Sequence, residues 1–301
     1  MSLARFEEIM GPLPASAHAP ATFTMEAETP DSGLLRRHIT INKTLPAWLL
    51  LPPNPTRRKL PAVICLHQTT RIGKDEPAGL GGKPNLHYAR ELALRGYVTL
   101  SPDYPNFGEY QIDPYASGYE SATMLGIVNH MQAVSVLTSL PFINPTAIAA
   151  CGHSLGGHNS LFLATFDPRI RAVITSCGFT SFSKYYGGNL KGWSHKGYMP
   201  KIAARKPADM PFDFKDILAT ISPRPIFVNA PLHDANFDPT GVDDAIRDSA
   251  HKQIHLEHPN CEHDFPPEIR QQAYAWLDRL LTSRPFQSAP IAKTTSSNTR
   301  A

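Results

Sequence analysis

The chain has 301 residues, 42% apolar and 18% charged, a balance that permits a large buried core and excludes disorder of the whole. A net charge of only +3, with no dense basic tract interleaved with aromatics, argues against nucleic acid as a partner and for a small molecule. No run approaches the roughly 18 apolar residues of a membrane span, and residues 1–20 lack the basic start and apolar stretch of a secretory leader, so a soluble, cytoplasmic protein with no membrane partner is expected.

Residues 1–33 are loosely patterned and read as an N-terminal extension. Leu34–Ile41 and Leu45–Leu51 then read as extended segments close enough for a hairpin. Residues 62–66 (Ala-Val-Ile-Cys-Leu) are a continuous apolar run, as expected of a strand covered on both faces. Leu86, Ala89 and Ala93 recur at helical spacing until Gly96, and residues 97–100 form the next apolar run. A longer helix carries Met124, Ile127, Val128, Met131, Val134 and Leu137 on one side and closes before Pro141.

Strand 147–151 leads into Gly152-His153-Ser154-Leu155-Gly156-Gly157, followed by a helix-length segment to about Asp167. A Gly-x-Ser-x-Gly corner between a buried strand and a helix holds the serine out of the chain on a sharp turn, which makes Ser154 the candidate covalent nucleophile. Further strands are expected at 171–177, 225–230 and 253–257, and Ile269, Ala273, Trp276 and Leu280 mark the last helix. Residues 284–301 are polar, low in complexity and read as a disordered tail. Alternating buried strands and helices predict an α/β class with a mainly parallel central sheet, helices on both faces, and a catalytic domain over residues 34–283.

The segment 179–218 breaks this alternation and is rich in aromatics, among them Tyr185, Tyr186, Trp193 and Tyr198. Long excursions in compact domains are commonly functional, so a lid-like insert is expected, and these four residues, with Tyr104 on the neighbouring rim, are candidate substrate contacts.

A serine nucleophile needs a base and an acid, expected in the order Ser, Asp or Glu, His. His263, in Cys261-Glu262-His263-Asp264-Phe265 between the final strand and helix, is the candidate base. Asp234 and Asp238 both follow strand 225–230; Asp234 is nearer the strand, whereas Asp238 precedes Pro239 and also suits a helix N-cap. No carboxylate lies between Gly178 and Lys191, which removes a rival position for the acid. The oxyanion hole would draw one backbone N–H from Leu155 and another from the loop after strand 62–66, at Thr69 or Gln68. His153 and His158 flank the serine and suit packing or support.

His255, His258, Cys261 and His263 superficially resemble a metal-ligand set, but His255 and His258 have opposite parity on a strand, so no metal is expected. No phosphate-cradling glycine pattern suggests a nucleotide cofactor, and no cofactor is expected. The four cysteines, Cys65, Cys151, Cys177 and Cys261, mostly lie in or beside apolar runs and imply no disulfide framework.

Together Gly152–Gly157, Asp234 and Cys261–Phe265 resemble the α/β-hydrolase superfamily over roughly residues 35–283, and within it residues 230–238 and the serine segment resemble the branch of dienelactone-hydrolase-like, acetyl-xylan-esterase-like and prolyl-oligopeptidase-like catalytic domains. The resemblance implies that fold and a Ser154–His263–Asp234 triad. The chain departs from it at Gln68, where the superfamily often has glycine, and at Ser154, where dienelactone hydrolases use cysteine. Peptidases of the oligopeptidase type carry a propeller domain, and with fewer than 50 residues before the first catalytic strands peptidase activity is not expected. The expected activity is hydrolysis of carboxylic esters through an acyl-enzyme on Ser154. Lactone hydrolysis by the same triad is the alternative, and a non-catalytic binding protein on the same fold is the reading from a different class.

Overall fold

The computed structural model describes residues 3–52 and 59–282; the expected tail at 284–301 lies outside them. In chain order come α1 (Ala4–Met10), β1 (Phe23–Asp31), β2 (Leu34–Ile41), β3 (Leu45–Leu51), β4 (Leu60–Leu66), α2 (Tyr88–Leu94), β5 (Val98–Pro102) and α3 (Ala122–Ser139). They are followed by β6 (Ile143–His153), α4 (Leu155–Phe166), β7 (Ile170–Ser176), α5 (Phe214–Ile221), β8 (Ile226–Asn229), α6 (Pro239–Ser249), β9 (Ile254–Glu257) and α7 (Pro267–Leu281). The nine strands form one sheet in the order β1-β2-β3-β5-β4-β6-β7-β8-β9. β1, β2, β3 and β5 pair antiparallel in succession, and β5 through β9 pair parallel, the α/β-hydrolase arrangement anticipated from the sequence.

Strand alternation assigns each core residue to a layer. Ala62, Ile64 and Leu66 of β4 belong to a core built with α3, α4 and α5, whereas Val63 and Cys65 belong to a second core with α2 and α7. Both faces are therefore covered, and β4 reads as an unbroken apolar run because every second residue has its own set of partners.

α1 is seated in this packing. Phe6, Ile9 and Met10 of α1 are fully buried, and Phe6 meets Phe212 and Phe166 edge to face at 5.1 and 6.3 Å between ring centroids. α3, expected to be apolar on one side, is buried from Ala122 to Leu137. Its outer side is closed by the turn at Ala15–His18: Gln132 Nε2 donates to Ser16 O (3.0 Å) and Ala17 O (2.9 Å), and the N-cap Ser121 donates its hydroxyl to Met10 O. β1 escapes a pattern-based reading because it is exposed along nearly its whole length and is held mainly by pairing with β2, with Asp31 at its end bonded to Arg90 of α2 (2.9 Å).

The strand order reverses between β4 and β6: from β4 the chain runs outward to β5, then returns across β4 to β6. In open α/β sheets such a reversal opens a crevice at the carboxyl ends of the two strands. Here Leu66 of β4 pairs with Gly152 of β6, so the loop 67–87 and the Ser154 turn leave the sheet side by side.

Segment 179–218 runs as short 3₁₀ turns at Tyr185–Gly188, Leu190–Gly192, Pro200–Ala204 and Pro207–Asp209 before α5. It is pinned by aromatics: Phe214 stacks on Phe179 (5.3 Å) and Phe162 (6.1 Å), and Phe182 meets Trp193, Phe212 and Phe214. No helix among the described residues is long and apolar enough to cross a membrane.

Since α1 is seated in the core, Phe6→Ala is expected to lower unfolding free energy by about 3–5 kcal/mol, measured as a reduced denaturation midpoint at unchanged m-value. An exposed appendage would give no shift.

Candidate active site

Ser154 stands alone between β6 and α4 with φ 54° and ψ −117°, a conformation costing on the order of 1–3 kcal/mol for a non-glycine residue. The surrounding glycines explain why the turn is nevertheless held. A Cβ on Gly156 would lie 1.8 Å from Leu66 O, and one on Gly152 would lie 2.2 Å from Gly156 O. Gly157 and Gly178 are likewise in backbone contact, each Cβ position within 2.7 Å of the other residue. β4, β6, α4 and the end of β7 thus meet backbone to backbone, and Ser154 N donates to Ser176 O at 2.8 Å to close the turn.

On the loop after β8, the Asp234 carboxylate faces His263 Nδ1 at 2.9 Å (Oδ2) and 3.0 Å (Oδ1). Its side chain is almost fully buried, and Oδ1 also accepts from the N–H groups of Asn236 (2.8 Å) and Phe237 (3.1 Å). A carboxylate held this way fixes the imidazole with its proton on Nδ1 and Nε2 free to accept. Phe237 stacks on the His263 ring (6.0 Å, 28°) and His153 meets it edge-on (4.7 Å). Asp238 is employed elsewhere: it caps α6, accepting from Thr240 N (2.8 Å) and Oγ1 (2.7 Å).

The loop after β4 is set by His67, which is buried and held below its ordinary pKa by that burial. Nδ1 contacts Gln68 O at 2.6 Å, and Nε2 accepts from Tyr104 N at 2.9 Å. The imidazole is therefore the neutral tautomer with its proton on Nδ1. Because the peptide is planar and trans, binding the Gln68 carbonyl turns the Thr69 N–H to the opposite side. Neither Thr69 N–H nor Leu155 N–H donates to a protein acceptor among the described residues.

These groups open onto one pocket of about 320 Å³. Ser154, Leu155, His263, Thr69 and Gln68 line it, together with Tyr185, Trp193 and Tyr198 from the excursion. Tyr198 reaches back across it, its hydroxyl 2.9 Å from Thr69 Oγ1. Two of the candidate contacts are not in the lining. Tyr104 is buried beneath the excursion and holds it through a hydroxyl bond to Gly197 O (3.1 Å), and Tyr186 is exposed and bonded to Asn236. Sequence reasoning missed Phe237, Asn236 and His158 as pocket walls. An aromatic residue in the otherwise polar stretch between two candidate aspartates was the available signal for Phe237.

Of the histidines weighed for a metal, His255 pairs with Glu257 (2.7 Å) and His258 with Ala230 O and Asp243. A different trio, His153, Cys177 and His263, brings ligand-type atoms within 4.8 Å of one another. His153 Nδ1 contacts Ser176 Oγ (2.9 Å) while its buried Nε2 has no hydrogen-bond partner among the described residues, the Cys177 thiol bonds Asp264 O (3.4 Å), and His263 Nδ1 is on Asp234. Burial, reinforced by the Asp234 charge, keeps the Cys177 thiol protonated, and Asn229 ties the group together by donating to Ser176 Oγ (2.8 Å) and Asp264 O (2.9 Å). His153 and Cys177, with Ser176 and Asn229, thus form a hydrogen-bonded base beneath His263.

His158 and His130 are buried with pKa values pushed down to about 3 by desolvation. A depressed histidine leaves stability intact above the unfolded value near 6.5 and erodes it as pH falls toward about 3, because the unfolded chain then binds more protons. Stability is thus expected to decline steadily from pH 6.5 to 4, and His158→Phe to reduce the proton uptake linked to unfolding in that window by close to one, as read from denaturation midpoints against pH. An unchanged slope would contradict burial of a neutral His158.

A model of the prolyl oligopeptidase family matches residues 86–240, just over half of the chain. The quorum-quenching protein AidA of Acinetobacter baumannii is 30% identical over 167 residues, 51% of each chain. The 2,6-dihydropseudooxynicotine hydrolase of Paenarthrobacter nicotinovorans is 25% identical over 250 residues, 79% of this chain and 62% of its own. The match to AidA spans about half of that relative, and the match to the α/β hydrolase psoB of Aspergillus fumigatus about a third. In fold the chain is similar to a glucuronoyl esterase from Solibacter usitatus (TM-score 0.70, 15% identity, 92% of this chain and 90% of that one). It is also similar to acetyl xylan esterase 1 from Thermoanaerobacterium sp. (TM-score 0.62, 16% identity, 93% and 99%). With the α/β-hydrolase sheet and the family match in agreement, the chain belongs to the prolyl oligopeptidase family.

Proposed function

We propose that the protein is a serine hydrolase that cleaves small carboxylic esters through an acyl-enzyme on Ser154. The observation that carries this reading is the convergence of Ser154, an Asp234-bonded His263 and two unpaired backbone N–H groups on one pocket. His263 Nε2 takes the Ser154 proton as Oγ attacks the ester carbonyl, and Asp234 holds the ring and balances the positive charge that develops. Leu155 N–H and Thr69 N–H receive the oxyanion; the way His67 turns the Gln68–Thr69 peptide favours Thr69 over Gln68 as the second donor. The protonated His263 then gives its proton to the departing alcohol and activates the water that releases the acyl group.

Tyr185, Trp193, Tyr198 and Phe237 make the pocket aromatic and compact, which suits a short or planar uncharged acyl group, with segment 179–218 acting as its lid. The esterases among its structural neighbours support ester over peptide chemistry.

Ser154→Ala is expected to reduce ester kcat/KM by roughly a thousandfold or more and to abolish labelling by a fluorophosphonate, with Asp234→Asn losing at least a hundredfold. A panel of linear esters and lactones of matched acyl size, followed by hydrolysis rate, separates esterase from lactonase. Failure of the probe to label Ser154 in folded protein that still binds these compounds would establish a binding protein instead.

A further inference from the structure

A second groove, of about 570 Å³, meets the candidate site at Thr69, which lines both. It lies between the loop after β4 and the loop after β5, and its only charged lining residue is Arg71. Arg71 is exposed, and its guanidinium has no hydrogen bond or ion pair among the described residues. The residues outside them include no aspartate or glutamate. Two acids of the loop after β5 are spent: Glu109 contacts Lys74 Nζ (2.9 Å) and His38 Nε2 (3.0 Å), and Asp103 is fully buried against Lys74.

The rest of the lining is uncharged. Asn106 commits its Oδ1 to Ile112 N (3.1 Å), which leaves its amide NH₂ as the unused half, and Ile72 and Phe107 supply an apolar wall. The main pocket, by contrast, has no lysine or arginine in its lining. An ester bound at Ser154 has two halves, and an acyl half in the aromatic pocket would leave the groove beyond Thr69 as space for the alcohol half.

We propose that this groove is the alcohol-side subsite and that Arg71 selects a leaving alcohol carrying a carboxylate, whose two oxygens match the guanidinium fork. The proposal rests on Ser154 being the nucleophile. In the step it serves, Ser154 Oγ bonds to the carbonyl carbon, the carbon–oxygen bond to the alcohol breaks, and the alcohol leaves with the proton held on His263.

The test compares 4-acetoxybenzoate with 4-acetoxybenzamide, which have the same acyl group and nearly the same size but differ in charge. At low ionic strength the wild-type kcat/KM should favour the carboxylate by roughly threefold to tenfold, the range between a solvated ion pair and a charge-assisted hydrogen bond. The preference should shrink with added salt and fall to near parity in Arg71→Gln, with Arg71→Lys intermediate. Equal rates in the wild type, or a preference that survives Arg71→Gln, would overturn the subsite. If neither ester is turned over, loss of fluorophosphonate labelling at Ser154 marks failure of the Ser154 reading and of the subsite with it, whereas with labelling intact equilibrium binding of 4-acetoxybenzoate decides the subsite. Weaker binding to Arg71→Gln than to wild type upholds it, and equal binding rejects it.

Discussion

Backbone contact without side chains between β4, β6 and α4 is the constraint on which the rest of the site depends. With Leu66 O and the Gly156 Cα hydrogens in the space where a side chain would begin, the helix can start directly over the β4–β6 crevice. Three things follow from this one approach. Ser154 is forced into a positive-φ turn that projects it from the sheet, the first N–H of α4 is left without a carbonyl partner, and the loop after β4 is brought beside both. The strain at one residue is carried by the packing of two cores, one on each face of the sheet.

A buried charge cluster performs a comparable service for the opposite wall. Burial works against the Lys74 ammonium, yet Asp103, Glu109 and Asp75 outweigh it and its pKa lies above the ordinary value. Asp103 in turn accepts from Lys74 N (2.8 Å) and Glu109 N (3.0 Å), which joins the loop after β4 to the loop after β5 through main-chain as well as side-chain bonds. Tyr104, between these loops, bonds His67 below and the excursion above. The geometry of the Gln68–Thr69 peptide therefore rests on a chain of buried polar contacts, each member of which is costly to leave unpaired.

Those parts of the molecule whose physics is local were legible in the amino-acid sequence. β2 and β3 fall at Leu34–Ile41 and Leu45–Leu51 as the apolar alternation indicated, and the serine corner announces itself because only glycine tolerates the contacts at positions 152 and 156. What was not legible depends on distant partners. β1 has no buried face and exists because β2 offers it an edge; α1 looks unremarkable until Phe212 and Phe166 surround Phe6. Of the two aspartates after β8, the chain order admits either, and only the fold assigns Asp234 to the histidine and Asp238 to the start of α6. Tyr104 and Tyr186 are aromatic in the same way as Tyr198, but the loop after β5 buries Tyr104 beneath the pocket and the turn at Tyr185–Gly188 sends Tyr186 into solvent.

β1 leaves one side of the sheet open along nine residues, a length that in a flat apolar strand would recruit the matching edge of another molecule. The register with β2 slips between Met25 and Ala27, a bulge that bends the strand, and the strand also carries Glu26, Glu28 and Pro30. Charge, curvature and a missing N–H together make this edge a poor template for strand addition. The chain can thus extend its hydrolase sheet with a solvent-facing strand without turning that strand into a nucleus for aggregation.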